Sequence, residues 1–328
     1  MDRDYPMNID MIRAAAKRID GFAQRTPLLT SRFLDAIAGR RVWVKPECLQ
    51  HTGSFKFRGA YSALSAMDEK TRARGVIAFS SGNHAQGVAL AAKMHGTNAV
   101  IIMPSDAPAL KIANTKAYGA EVVLYDRTTE SRDEIGARLS EERGLTLVKP
   151  FDDPQVIAGQ GTCGLEIAED ANALGIKNAD VIVCCGGGGL TSGIALALEA
   201  DAPTLRVRPA EPAGFDDVAR SLRAGKIERN PSLSGNICDA IITPQAGDLT
   251  WPHLHRLCGP GLVVSEDEVL DAMAQAFLRL KVVAEPGGAA ALAAALSRKD
   301  EIESEDVIVT ISGGNVDPAM FARALERL

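Results

Sequence analysis

Residues 181–200 read VIVCCGGGGLTSGIALALEA. An apolar run enters four glycines, and an apolar, helix-like pattern begins at once. The run over 180–185 is apolar on successive rather than alternate positions. Strands buried on both faces look like that, and parallel sheets covered by helices contain them. The glycines let backbone approach a ligand closely, and the exposed N–H groups of a helix start bind anions. A phosphate is the natural guest. A dinucleotide fingerprint begun at Gly186 or Gly187 needs glycine at 191 or 192, where Thr191 and Ser192 stand. A Walker loop over Gly188–Gly193 needs lysine where Ile194 stands. The alternative is a tight strand–helix turn, although four glycines exceed what a turn needs.

Working outward, similar short apolar runs recur at 41–45, 75–80, 98–103, 120–125, 145–148, 205–210 and 306–312. Helix-like segments lie between them, at 83–95, 109–118, 129–143, 189–199 and 266–281. This alternation predicts an α/β fold. The alanine-rich stretch EPGGAAALAAALSRK (285–299) reads as a packed helix.

With 328 residues, 46% apolar and 24% charged, the composition is that of an ordinary globular protein of one or two domains. A net charge of −6 without a basic block argues against a nucleic-acid partner. No stretch approaches the roughly 18–20 apolar residues of a spanning helix. The charged N-terminus lacks a secretory pattern. The six cysteines form no C-x-x-C pair and read as reduced thiols. No membrane association and a cytoplasmic location are therefore expected.

Three further stretches carry chemistry. HTGSFKFRGA (51–60) sets Lys56 between Phe55 and Phe57, and a lysine among apolar groups is either solvated or held unprotonated for chemistry. FSSGNHAQGVALAAK (79–93) is a second strand-to-helix junction, where Ser81, Gly82, Asn83 and His84 suit a carboxylate; plain capping is the alternative. VTISGGNVD (309–317) puts Ser312 at the C-terminal end of a strand, where ligands sit in open α/β sheets. A lysine near a bound phosphate compound suggests a Schiff base with pyridoxal phosphate.

Together TGSFKFRGA, SSGNHAQGVALAA, AGQGT, GGGGL and SGGN, in this order, resemble the fold-type II pyridoxal-phosphate enzymes, in the branch of threonine dehydratase, serine racemase and 3-hydroxyaspartate dehydratase. The resemblance runs from about residue 10 to the C-terminus. It implies two open, twisted, mostly parallel sheets with the cofactor in the cleft between two domains. Residues 1–54 and 148–328 would form the large cofactor-binding domain and residues 55–147 the small one. It further implies that Lys56 carries pyridoxal 5'-phosphate and that Phe55 stacks beside the ring. Asn83 would bond the ring 3-hydroxyl, and Ser312 would face the pyridine nitrogen. Gly186, Gly187, Gly188 and Gly189, with Leu190, would hold the phosphate. Ser81, Gly82, Asn83 and His84 would receive the substrate carboxylate. A neutral Ser312, in place of an acid, would favour prompt loss of a β-leaving group over transamination.

The implied reaction is a dehydratase-type β-elimination. A freed Lys56 amine, its pKa lowered by desolvation between Phe55 and Phe57, removes the Cα proton. The β-hydroxyl leaves, and a 2-oxo or imino acid and ammonia follow. Substrates would be threonine and serine or 3-hydroxyaspartate, the last favoured if Arg132 faces the pocket. Ser81 matches a serine that protonates the opposite face in racemases, so an amino-acid racemase with side lyase activity is the alternative. A non-catalytic binder of cofactor or amino acid is the reading from another class, and the retained Lys56, Ser81 and Ser312 argue against it. In RPAEPAGFDDVARSL (208–222) the resemblance implies a Mg²⁺ or Ca²⁺ site from Glu211, the Phe215 carbonyl and Asp217. His253 and His255 read as structural. A homodimer is expected, as is a catabolic role, since no regulatory extension follows.

Overall fold

The structure, a computed structural model, describes residues 7–107, 109–126 and 128–328. Its strands are β1 Leu29–Thr30, β2 Arg41–Pro46, β3 Val76–Phe79, β4 Ala99–Pro104, β5 Glu121–Tyr125, β6 Thr146–Leu147, β7 Ala179–Cys184, β8 Leu205–Pro212, β9 Leu262–Val264 and β10 Asp306–Ile311. The larger sheet has the order β1-β2-β10-β7-β8-β9 and the smaller β5-β4-β3-β6. All pairings are parallel except β1 with β2.

Every residue of β4, β7 and β10 is buried, as their unbroken apolar runs require. Each Val or Ile so placed contributes about 1.5–3 kcal/mol of hydrophobic free energy. All eight expected strands form. The two additions, β1 and β9, are edge strands of two and three residues, too short to show a period. The smaller sheet is drawn wholly from residues 76–147. The larger one takes β1 and β2 from before that segment and the rest from after it.

The longest helix, Pro154–Leu174, is absent from the expected elements because glycines interrupt its apolar pattern. Asp153 caps it, accepting from the N–H groups of Gln155 (2.8 Å) and Val156 (3.0 Å). Its glycines are contact points. A Cβ on Gly159 would lie 2.5 Å from the Arg58 carbonyl oxygen, and one on Gly161 2.9 Å from that of Gly193. The AGQGT segment thus wedges between the helix Lys56–Ala66 and the helix Gly189–Asp201, setting their spacing.

Beneath Lys56 lies a buried ionic cluster. The Arg58 guanidinium donates to both oxygens of Glu47 (2.7 and 2.8 Å) and both of Glu166 (2.6 and 2.9 Å). Lys45 donates to Glu166 and to the Thr26 carbonyl, each at 2.6 Å. Arg58, Glu47 and Lys45 are almost wholly buried.

The helix expected over 266–281 is α-helical only from Glu266 to Gln275. It widens into a π turn at Ala276–Leu280 and stops at Lys281, whose φ of 62° is left-handed. A non-glycine residue there stores roughly 1–2 kcal/mol of strain. The strained exit directs Val282–Glu285 back into the molecule. The helix Pro286–Ser297 follows, confirming the reading of the alanine-rich stretch.

Candidate active site

A cavity of about 490 Å³ opens where the C-terminal ends of both sheets converge, the usual ligand position in open parallel sheets. Residues following β3, β6, β7 and β10 all reach it. Its wall contains Phe55, Lys56, Ser81, Gly82, Asn83, His84, Arg132, Gly186 to Leu190 and Ser312. Every cofactor and substrate residue expected from the sequence is therefore gathered in one space.

Lys56 opens its helix, and local backbone pairing fixes it relative to Ser312. Phe55 N–H donates to the Ser312 carbonyl (3.1 Å), Gly314 N–H donates to that of Gly53 (2.9 Å), and Ser54 bridges Gly313. The Lys56 Nζ donates to the Pro150 carbonyl at 2.8 Å and lies 5.0 Å from the centre of the Phe55 ring. Burial lowers its pKa to about 8, against an opposing pull from Glu285. Phe57 does not share in this shelter. It is fully buried on the core side, edge-on to His51 and tilted against Tyr61, because successive helical residues point about 100° apart.

The glycine corner is built for an anion. Gly188 caps the helix Gly189–Asp201 with a left-handed φ of 91°, and the first N–H groups of a helix lack intrahelical acceptors. The Thr191 hydroxyl, one turn in, is buried and lines the cavity beside the Cys185 thiol. A hydroxyl at a helix N-terminus matches a phosphate oxygen. Part of the glycine run has a plainer cause: a Cβ on Gly187 would lie 2.4 Å from the Phe151 ring. Ser312 lines the same cavity as a neutral, buried hydroxyl. These residues fit pyridoxal phosphate.

Asn83 begins the helix Asn83–Met94, so the N–H groups of that first turn face the cavity beside Ser81 and Gly82. The His84 ring is engaged with the backbone. Its Nε2 lies 2.8 Å from the Val148 carbonyl, which can only accept, so Nε2 carries the proton. Burial, with Lys56 adding, pushes the ring's pKa down to about 3. The remaining nitrogen, buried Nδ1, is a lone pair that cannot donate to a carboxylate. Only the His84 backbone can serve an anion.

Glu285 was not among the expected residues. It is buried, lines the cavity and sits at the N-cap position of its helix without making a capping bond. Its Oε1 instead accepts from Asn83 Nδ2 at 2.5 Å. Burial raises its pKa to about 7. The only sequence signal was a lone acid in the apolar stretch 282–296.

At the mouth, Lys111 and Asp239 form an ion pair (3.2 Å) that joins the segment after β4 to the one after β8. Arg132 lies nearby with a side chain 58% exposed, in loose contact with Asp133 (3.7 Å).

The expected metal ligands lie apart from this cavity. Glu211 is fully buried and accepts from Val218 N–H (2.9 Å) and Ala219 N–H (2.7 Å). Burial and neighbouring Asp217 push its carboxyl well above the usual range. Asp217 Oδ1 accepts from Asn230 (2.6 Å), while its buried Oδ2 has no partner among the described residues. Among the described residues no three His, Cys, Asp or Glu side chains cluster as ligands. Two carboxylates and the carbonyl of buried Phe215 still supply the hard oxygens such an ion takes. His255 stacks on Trp251 with ring centres 5.0 Å apart. Among the described residues no helix is long and apolar enough to cross a membrane.

Comparison with known proteins agrees with this geometry. The model of the family described as "Pyridoxal-phosphate dependent enzyme" matches residues 19–314. An L-threo-3-hydroxyaspartate ammonia-lyase from a Pseudomonas species is 45% identical over 97% of this chain and 98% of its own. The structure of maize serine racemase superposes with a TM-score of 0.90 at 40% identity, covering 98% of each chain. That of the T.th. threonine deaminase gives 0.89 at 44% identity, over 94% of this chain and 99% of its own. The chain belongs to the pyridoxal-phosphate dependent enzyme family.

Proposed function

We propose that this pyridoxal-phosphate dependent enzyme is an ammonia-lyase that eliminates the β-hydroxyl of an L-amino acid carrying a second carboxylate, of the 3-hydroxyaspartate type, ahead of threonine or serine. The observation that carries the choice is a cation, Arg132, on the rim of a cavity whose interior holds the Lys56 amine, while Lys111 beside it is matched by Asp239. A β-carboxylate reaching that rim meets positive charge, whereas a methyl group or hydrogen finds nothing to match it. The relative most similar in length and identity among those named above is an ammonia-lyase for such a substrate.

The cofactor, when bound, supplies an electron-accepting ring that acidifies the substrate's Cα–H. The chain's residues supply the rest. Thr191 and the N–H groups at the start of its helix hold the phosphate. Ser312 would offer the ring nitrogen a neutral hydroxyl, and Phe55 would lie against the ring face. The N–H groups of the Asn83 turn, with Ser81 and Gly82, orient the α-carboxylate. The Lys56 amine, with a pKa brought to about 8, takes the Cα proton at a physiological pH. Contacts from Lys111 to Asp239 and from Asn83 to Glu285 link the two sides of the cleft.

Ser81 on the cavity wall supports a second reading, an amino-acid racemase with side lyase activity, in which Ser81 delivers a proton from the opposite face. Residues 55–147 are taken as a small domain and 1–54 with 148–328 as the large one, in line with the sheet contained within 76–147. Glu211, the Phe215 carbonyl and Asp217 are assigned to Mg²⁺ or Ca²⁺, the orphaned Asp217 Oδ2 supporting this. A cytoplasmic homodimer completes the reading, and the six unpaired cysteines suit a reducing compartment. The test is release of 2-oxo acid and ammonia from L-threonine, L-serine and the isomers of 3-hydroxyaspartate, with Lys56→Ala as blank and product chirality followed in parallel. Fastest turnover of a hydroxyaspartate isomer is expected. Faster turnover of threonine or serine would overturn the substrate choice, and inverted amino acid as the main product would favour the racemase.

A further inference from the structure

We propose that Glu285 is a positioning residue of this site: its Oε1 fixes the Asn83 amide so that an N–H faces the cavity, and its carboxyl shares that cavity with the Lys56 amine. The inference rests on the roles proposed above for Asn83 and Lys56.

The orientation of Asn83 follows from a chain of contacts anchored on backbone. Thr52 has a left-handed φ of 60°, an uncommon conformation for a β-branched residue. Its carbonyl lies 2.7 Å from an amide atom of Asn315, and a carbonyl only accepts, so that atom is the Asn315 nitrogen. The same nitrogen is 2.7 Å from Asn83 and gives it the second proton. The Asn83 atom facing Asn315 is therefore oxygen, and the one facing Glu285 is nitrogen. One of its two protons goes to Glu285 Oε1. The other is left for a ligand acceptor in the cavity that Asn83 lines. Gly313 makes room for this, since a Cβ there would fall 2.1 Å from Glu285 Oε1 and 3.0 Å from Asn83 Nδ2. The backbone is thus shaped around the carboxyl group.

With Oε1 accepting, any proton on Glu285 sits on Oε2, which has no partner among the described residues. The charged groups acting on the carboxyl are Asp239, Lys111 and Lys56, and the thiols of Cys48 and Cys238 also sense it. Burial dominates, so the neutral form persists to about pH 7. Once ionised, Glu285 favours the ammonium form of Lys56, which is useless as a base. An ionised carboxyl in the shared cavity therefore opposes loss of the Lys56 proton.

The test needs no turnover. In the cofactor-free protein, Lys56 is labelled with an amine-acylating reagent across pH 6–10, and the labelled peptide is quantified by mass spectrometry. The wild-type midpoint is expected near 8. Glu285→Gln, which keeps an acceptor for Asn83 but carries no charge, is expected to lower it by about one unit. In parallel, affinity for pyridoxal phosphate is measured for Glu285→Gln, Glu285→Ala, Asn83→Ala and the double alanine variant. Glu285→Gln should stay within about threefold of wild type, while Glu285→Ala and Asn83→Ala each weaken binding about tenfold. The double variant should be no weaker than Asn83→Ala alone, since both act through one bond. An unmoved labelling midpoint in Glu285→Gln, or additive losses in the double variant, would overturn the proposal. The labelling profile involves no cofactor, so its outcome is separable from that of the turnover panel.

Discussion

Replacing Arg58 by methionine probes the ionic cluster under the Schiff-base candidate. The change keeps the length and apolar stem and removes four hydrogen bonds to Glu47 and Glu166. Burial alone would push Glu47 up, but the charge and hydrogen bonds of Arg58, with Lys45 and Thr26, hold its carboxyl below the usual range. Without Arg58, fully buried Glu47 keeps only the Thr26 hydroxyl (2.6 Å) and the field of Lys45. Breaking a buried pair by removing one partner costs about 3–5 kcal/mol. For a chain of 328 residues that is roughly 4–7 °C in Tm. The pH dependence has a definite sign. In the wild type Glu47 has a depressed folded pKa, so its contribution is present above the unfolded value and lost as pH falls through the folded one. In the variant burial prevails and raises the carboxyl, so stability is lost as pH rises. The penalty is therefore larger at pH 7.5 than at pH 5, and Glu47→Gln added to Arg58→Met recovers part of it at pH 7.5. Thermal melts of the two variants at both pH values decide. An Arg58→Met Tm within about 2 °C of wild type, or a penalty independent of pH, would refute the reasoning.

Arg132→Leu should lower kcat/KM for 3-hydroxyaspartate about tenfold while sparing serine, a modest factor because the guanidinium is more than half exposed; equal losses on both substrates would show that Arg132 does not read the second carboxylate. Gly188→Ala imposes a left-handed alanine, about 1–2 kcal/mol, and sets a Cβ 2.6 Å from Leu254 Cδ1. Equilibrium dialysis should find pyridoxal phosphate bound at least tenfold more weakly, and unchanged affinity would remove the phosphate from this corner. Millimolar Mg²⁺ or Ca²⁺ should raise Tm by linkage, an effect lost in Asp217→Asn. Because burial brings the Asp217 carboxyl to about 6, the rise should fade as pH drops below that value. A calcium-independent and magnesium-independent melt at pH 7.5 would refute the site.

What could be read ahead of the structure divides along physical lines. The parallel sheets were legible because β4, β7 and β10 are buried on both faces and so lack polar residues along most of their length. Lys56, the glycine corner and Ser312 were legible because each stands where a strand or helix ends, and the sequence marks such ends. Glu285 was not, because its place in the cavity depends on the π turn at Ala276–Leu280 and on left-handed Lys281, distortions that an ordinary helical pattern conceals. The part played by the His84 ring was not legible either: only the folded path of Val148 supplies the carbonyl that takes its proton. The Pro154–Leu174 helix escaped because its glycines, penalised as helix formers, are there for contact with two other helices. Phe57 looked like a partner of Lys56 from adjacency in sequence, but successive helical side chains point about 100° apart.

The strand order has a consequence for how the protein is made. β10 lies between β2 and β7, so two strands that form early in synthesis have no common neighbour until residues 306–311 leave the ribosome. The smaller sheet, contiguous in sequence, can close while translation is still under way. The larger one waits with two unpaired edges rich in valine and isoleucine, the kind of surface that recruits other chains. The nascent chain therefore passes through a stage in which a folded inner sheet is carried on an open outer one. Chaperone demand should peak in the interval between emergence of Cys184 and emergence of Ile311.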